Sequence, residues 1–278
     1  MEPIVYRSNA AFPNVCTHRG AVLLERPSPS LRCPYHGRQY GSDGTLRIAP
    51  GCPTLPRGED LPLVAVETLG PWTFARITGE RPLPNPARWL SGLPLETLRR
   101  DPTGDRVYTI EAHWALWVEN YLEGLHVPFV HPGLRATLDL GGYRTKVEDQ
   151  VIIQVGVSKD PPFLNLPEGH PAGDRVGGLY LYLFPCTALN VYAWGVSVNV
   201  IEPVSATRTN IHYERWTWRE VEGGPGGALD DVEQEDDAIV ERVARGIAAL
   251  NARGGKLGSY VPGWEDGARA FHGWLAGL

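Results

Sequence analysis

No apolar run in this 278-residue chain reaches the roughly 18 residues that suggest a membrane span, so a membrane is not an expected partner. Basic residues are in the minority: 26 Lys and Arg stand against 32 Asp and Glu, a net charge of −6. No basic stripe of the kind a phosphate backbone requires is visible, which argues against nucleic acid. The start, Met1 to Phe12, has neither the basic nor the apolar region of a secretory signal, and the expected residence is cytoplasmic. Cysteine is scarce, with four in all; in a reducing compartment so few thiols more often hold metal than form disulfides. A Gly-rich dinucleotide motif in a strand–turn–helix setting is missing, so direct binding of NAD(P)H is not expected. There is no internal repeat. What remains is ordinary globular material, 42% hydrophobic and 21% charged, enough for two domains.

The chain reads in three zones. Short β-like runs broken by Gly, Pro and Ser (Ile4–Tyr6, Ala21–Leu24, Leu63–Val66, Trp72–Ile77) predict an all-β domain over residues 1–80. A stretch with Pro82, Pro84, Pro86 and Pro94 predicts a linker over 81–104. In the remaining zone, 105–278, His113 to His126 predicts a helix. Val147–Val157, Leu179–Phe184, Asn190–Ile201 and Thr207–Trp218 alternate like antiparallel strands. Leu229–Asn251 predicts a long amphipathic helix, and Trp264–Leu275 a second. Strands first and a long helix last give an α+β expectation, the helix lying across an antiparallel sheet.

Chemistry concentrates in two places. Cys16-Thr17-His18-Arg19-Gly20 and Cys33-Pro34-Tyr35-His36-Gly37 each offer one thiolate and one imidazole on a Gly-bounded loop. Two cysteines on one iron and two histidines on the other make a Rieske [2Fe–2S] cluster; a tetrahedral zinc site is the alternative use of the same four donors. The unequal spacings, C-x-H and C-x-x-H, favour the cluster. Cys52 and Cys186 stand alone and receive no role.

The second place is Glu119 to Pro132. Asn120, Glu123 and His126 recur at intervals of three, as on one helical face, and Pro128 lets the chain turn so that His131 can join His126 at one metal. The missing carboxylate of a facial triad comes from the long helix. With residues advancing about 100° each, Asp236 falls near the centre of the arc formed by Val232, Ile239, Val240, Val243, Ile247 and Leu250. Asp237 falls on the polar side with Glu241 and Arg245. A carboxylate facing a core needs a partner or a metal, so Asp236 is the expected ligand and Asp237 a solvated one.

These motifs resemble the large (alpha) terminal oxygenase subunits of the Rieske non-haem iron oxygenases: C-x-H-R-G, then C-P-Y-H-G, E-x-x-H-x4-H, and a late E-D-x4-E helix. Glu265, Phe271, His272 and Trp274 resemble the family's closing segment, so the likeness runs from about residue 4 to the C-terminus. It implies a Rieske β-domain followed by a helix-grip catalytic domain. The cluster would be held by Cys16, His18, Cys33 and His36, and a mononuclear Fe(II) by His126, His131 and Asp236, with O2 as co-substrate. Glu123 would link an iron histidine to a cluster histidine, and Asn120 would stand behind the iron ligands. A separate flavin or iron–sulfur reductase, with or without a ferredoxin, and a head-to-tail homotrimer follow from the same likeness. Two departures stand out. The chain begins close to the cluster, which implies a shortened start, and His113 and Ala115 occupy positions where relatives often have Asn and Lys.

Glu rather than Asp at position 123 resembles the branch that oxidises choline, carnitine and glycine betaine. Tyr180, Tyr182 and Phe184 on one strand face, and Tyr192 and Trp194 on another, could form an aromatic box for a cation or plain core. The expected activity is hydroxylation or demethylation of a small organic molecule. The alternatives are dihydroxylation of an aromatic ring and, from a different class, an electron carrier fused to a small-molecule-binding module. A second iron site separates these classes, because a carrier needs none.

Overall fold

The computed structural model describes residues 4–7, 10–76, 83–219 and 229–277. The chain divides into two compact units, Met1–Leu83 and Pro84–Leu278. The first is built of short antiparallel pieces: β1 (Ile4–Arg7) with β2 (Ala10–Pro13), β3 (Leu31–Arg32) with β4 (Gln39–Tyr40) and β5 (Leu46–Ile48), and β6 (Ala65–Leu69) with β7 (Trp72–Arg76). Such short strands bury little by themselves. The unit coheres through one core in which Phe12, Leu23, Leu31, Tyr40, Leu46 and Leu61 surround the side chains of Cys16 and Cys33.

In the second unit β8 (Arg99–Arg100) and β9 (Arg106–Ile110) precede α1 (Trp114–Tyr121), α2 (Val127–Val130) and α3 (Pro132–Thr137). The meander that follows is β10 (Arg144–Glu148), β11 (Val151–Val157), β12 (Val176–Leu183), β13 (Thr187–Tyr192), β14 (Gly195–Ser205) and β15 (Arg208–Thr217). It forms one antiparallel sheet in chain order, with β8 and β9 both paired to β15. Two helices close the chain, α4 (Leu229–Asn251) and α5 (Asp266–Leu275).

The register explains the two-sided burial. Ile152 pairs with Tyr182, Gln154 with Tyr180, Tyr180 with Asn190, and Ile201 with Ile211, so these side chains share one face. That face meets α1, α4 and α5 through a core that includes Val118, Leu122, Tyr182, Ile211, Val240 and Phe271. Leu179, Leu181, Leu189, Val191 and Val196 on the other face are also fully buried, which is why these strands read as near-continuous apolar runs.

Four expectations need correction. Residues 84–104 are no free linker: β8 joins the sheet edge, and Trp89, Leu90, Leu93 and Leu98 are buried. Proline there shapes tight turns rather than an extended tether. The run Val147–Val157 is two strands, split at Asp149 and Gln150, both with positive φ (37° and 68°), as a two-residue hairpin turn demands. Asn190–Ile201 is likewise divided, at Ala193 and Trp194, between β13 and β14. The helix expected over His113–His126 ends at Tyr121, with Leu122 as its C-cap. A Cβ on Gly124 would sit 2.6 Å from the Tyr143 ring, so the chain passes too close for any other residue.

Candidate functional site

The two Cys–His loops are built alike. Cys16 N donates to Ala21 O (2.8 Å) and Gly20 N to Cys16 O (3.0 Å); Cys33 N donates to Arg38 O (2.8 Å) and Gly37 N to Cys33 O (3.1 Å). Each turn closes on a glycine in the left-handed region, Gly20 at φ 73° and Gly37 at φ 72°, which a side chain would strain. The result sorts the donors by depth. Cys16 and Cys33 are each 2% exposed, whereas His18 and His36 lie exposed with ring centroids 4.7 Å apart. Among the described residues, the one group of three metal donors lying within 4.8 Å of one another lies elsewhere. The four residues pair off as two sulfurs inside and two imidazoles outside. A tetrahedral zinc ion, with bonds of about 2.0–2.3 Å, needs all four donors together; a two-iron cluster needs the pairs apart, and this arrangement fits it. Burial works to raise the Cys16 thiol pKa, but the Tyr40 hydroxyl (3.3 Å from Sγ), backbone N–H groups and Cys33 hold it below its usual value.

His126, His131 and Asp236 form the three-donor group. Asp236 Oδ1 lies 3.0 Å from His131 Nε2 and 3.5 Å from His126 Nε2. The outer nitrogen of each imidazole meets its own carboxylate: His126 Nδ1 lies 2.5 Å from Glu123 Oε1, and His131 Nδ1 lies 2.7 Å from Glu235 Oε2. Such partners fix the tautomer and leave Nε2 free for a metal. Two imidazoles and one carboxylate are the donor set of a facial-triad iron, so the residues present fit that group. Burial opposes protonation of His131, yet Asp236 and Glu235 raise its pKa.

Local chain geometry sets these positions in an unexpected way. Glu123 lies beyond the end of α1, and its carboxylate accepts from the backbone N–H of Leu125 and of His126 (3.2 Å). His126 caps the start of α2 and His131 the start of α3, so it is a pair of short turns, not one helical face, that aims both rings. Asn120, still on α1, donates to Asp236 Oδ1 at 2.6 Å. On α4 the inward face runs through Glu233, Asp236, Asp237 and Val240, while Val243 is 41% exposed. Asp237 is therefore not solvated as expected: its side abuts the approach to α1, where Glu241 accepts from Glu111 N. Its Oδ1 is buried without a hydrogen-bond partner, and burial pushes its pKa up to about 7.

The three donors open onto a cavity of about 240 Å³ lined by Tyr121, Tyr143, Gln154, Tyr180, Asn190, Tyr192 and Glu233, among others, with no Lys or Arg. Hydrogen bonds lock its wall: Tyr121 OH to Asn190 Oδ1 (2.7 Å), Tyr143 OH to Gln154 Oε1 (2.8 Å) and Gln154 Nε2 to Tyr121 O (2.6 Å). Of the aromatic faces singled out in the sequence, Tyr180 and Tyr192 line this cavity. Tyr182 and Phe184 instead pack on Phe271, and Trp194 stacks behind Tyr192. Sequence reasoning missed Glu233, Glu235, Gln154, Asn190, Tyr121 and Tyr143 as site residues. Glu235 and Glu233 could have been reached from their spacing to Asp236. The others depend on strand register and chain path.

Two buried thiols with two outward imidazoles, and a separate triad beside a cavity, define a two-centre iron protein. Residues 4–62 match the Rieske [2Fe-2S] domain, and residues 95–278 match the ring hydroxylating alpha subunit (catalytic domain). The chain belongs to this family of Rieske-type ring-hydroxylating alpha subunits, whose two domains imply a [2Fe–2S] cluster and a mononuclear iron. Choline monooxygenase (chloroplastic) of Beta vulgaris is 30% identical over 293 residues, covering 95% of this chain and 62% of the relative. The carnitine monooxygenase oxygenase subunit of Escherichia coli K12 is 28% identical over 295 residues, covering 96% and 76%. This chain thus spans less than two thirds of the length of the choline monooxygenases. A solved quaternary ammonium Rieske monooxygenase, described as giving insight into carnitine oxidation and inter-subunit electron transfer, superposes with a TM-score of 0.68 at 23% identity, over 99% of this chain and 80% of that one. It shares the fold.

Proposed function

We propose that this protein is a terminal oxygenase that hydroxylates or demethylates a small quaternary ammonium compound. Electrons would come from a separate reductase, in the cytoplasm, where thiolate ligands stay reduced. The observation that carries this reading is the triad His126, His131 and Asp236 opening onto a small cavity walled by four tyrosines and no basic residue. A volume near 240 Å³ lies below the roughly 300–1,000 Å³ of drug-sized sites, which suits a compact substrate. Tyrosine faces attract a permanent cation, and the names of the relatives point to the same substrate class.

When bound, the cluster supplies single electrons and the iron supplies open positions at which O2 is reduced. The rest is the work of side chains. His126, His131 and Asp236 would hold the iron at the wall of the cavity they line. Glu123 and Glu235 keep each imidazole turned with Nε2 toward the metal, and Asn120 fixes Asp236. Tyr121, Tyr143, Tyr180 and Tyr192 exclude water and hold the substrate head. In a head-to-tail trimer, Glu123 would also link His126 to a cluster histidine of the neighbouring subunit.

Anaerobically purified protein should contain acid-labile sulfide and show a Rieske-type resonance on reduction, both lost in Cys33→Ala. With a compatible reductase, choline-like or carnitine-like compounds should stimulate oxygen uptake and yield hydroxylated or demethylated product. Stoichiometric zinc without sulfide, or oxidation of neutral aromatics alone, would overturn the reading.

A further inference from the structure

Every carboxylate around the cavity except one faces an imidazole. Asp236 faces both imidazoles; Glu123 and Glu235 each hold a histidine. Glu233 lies one turn before Asp236 on α4, lines the same cavity, and is 7% exposed. Among the described residues its only hydrogen bond comes from the Tyr213 hydroxyl, a neutral donor. No cation offsets it. Burial, then the charges of Asp236, Asp237 and Asp230, all disfavour its ionised form, while Tyr213 alone favours it. A buried acid so placed is costly, and neither the metal set nor the helix explains why it is there.

The cavity supplies a reason. A ferrous ion held by two neutral imidazoles and one carboxylate keeps a positive charge within its own donor set, and Glu123 and Glu235 are each taken up by the outer nitrogen of an imidazole. Tyrosine faces add attraction for a cation but no counter-charge. A cationic head seated in the cavity is offset by a wall acid that no imidazole engages, and Glu233, bonded among the described residues only by the neutral Tyr213 hydroxyl, is that acid. An uncharged molecule of equal shape gains nothing from that acid, so the discrimination comes from the charge pair alone.

We propose that Glu233 is the specificity-determining residue of the cavity: its carboxylate is the counter-charge that selects a cationic substrate head over an uncharged one of the same shape. This rests on the quaternary ammonium reading above and assigns its selectivity to one residue rather than to the tyrosines.

The test compares binding of choline and of dimethylbutanol, its uncharged isostere with carbon in place of nitrogen, to the iron-loaded full chain by calorimetry. Wild-type protein should prefer choline by about tenfold or more, the scale of a partly desolvated charge pair. Glu233→Gln keeps the shape and the Tyr213 contact; it should lose most of that preference while binding the isostere within about twofold of wild type. Glu233→Asp, which keeps the charge, should keep the preference. Asp231→Asn, an exposed acid on the same helix whose charge does not bear on Glu233, should change neither affinity. Iron content and melting curves confirm that each variant is folded and loaded. An undiminished preference in Glu233→Gln would show that the tyrosines suffice and would overturn the proposal. Equal loss in Gln and Asp variants would mean that shape rather than charge is at work, and would overturn it too. A wild type with no preference for choline would defeat the substrate reading itself, a different failure from that of Glu233 alone.

Discussion

Asp236 and Asp237 are adjacent, both turn inward, and only Asp236 has imidazole nitrogens within reach. The difference predicts opposite fates. Asp236→Asn should lose the mononuclear iron while the cluster signal persists. Asp237→Asn should retain both metals, since its carboxyl is not among the three donors; iron and sulfide counts on the two purified variants decide the matter. The outer carboxylates allow a finer comparison. Glu235→Gln removes the charge behind His131, and Glu123→Gln removes the charge behind His126. Each should weaken iron retention about 10- to 100-fold, as loss of an imidazole's outer carboxylate does elsewhere. Competition with a chelator measures this without turnover. An Asp237 variant that loses iron, or a Glu235 variant that holds it as wild type does, would mean that the ligand geometry is different.

At the scale of elements, α5 fastens the catalytic unit against the end of α1. Phe271 is fully buried among Trp114, Tyr182 and Phe184. His272 Nε2 lies 2.5 Å from Glu119 Oε1 on α1. Gly267 lets the helix approach, because a Cβ there would sit 2.4 Å from the Leu122 carbonyl oxygen. A backbone atom cannot step aside, so Gly267→Ala should destabilise the catalytic unit by about 1–3 kcal/mol, read as a lower melting temperature. Gly273→Ala, with open space around it, should be neutral or slightly stabilising through helix propensity. These contacts also mark how far sequence reasoning reaches. The two Gly-closed Cys–His loops were legible because their geometry is local. The inward turn of Asp236 was legible because a helix has a fixed period. The end of α1 at Tyr121 was not, since no Gly or Pro stands there and the helix is capped at Leu122. Nor was the inward turn of Asp237, because the width of the buried arc on α4 depends on what α4 rests against. Tyr180 and Tyr182 share a strand face, yet one lines the cavity and the other packs on Phe271; only the position of α5 separates them.

At the scale of the whole molecule, the question is which cluster feeds which iron. The cluster ligands belong to one compact unit and the iron ligands to the other, and covalent order does not require both centres of one chain to be a redox pair. His18 and His36 are exposed, so the outer face of the cluster is free to meet another subunit. Phe129, between His126 and His131 on α2, is 83% exposed, which leaves that side open to a neighbour as well. A head-to-tail ring satisfies both demands, because one contact repeated by a closing rotation buries the same two patches in every subunit. Transfer would then run from the cluster of one chain to the iron of the next, with Glu123 spanning the boundary. Complementation tests this. A Cys33→Ala chain has an intact iron site and no cluster; a His126→Ala chain has the reverse defect. Each should be inactive alone. Mixed assemblies, formed by co-expression with two affinity tags and purified through both, should regain turnover, because some junctions set an intact cluster against an intact iron. Glu123→Gln in the chain that keeps its iron should lower that recovered rate while both metals and the assembly persist. If doubly tagged assemblies with full metal content stay as inactive as their parents, electrons do not cross between subunits, and each iron draws on the cluster of its own chain.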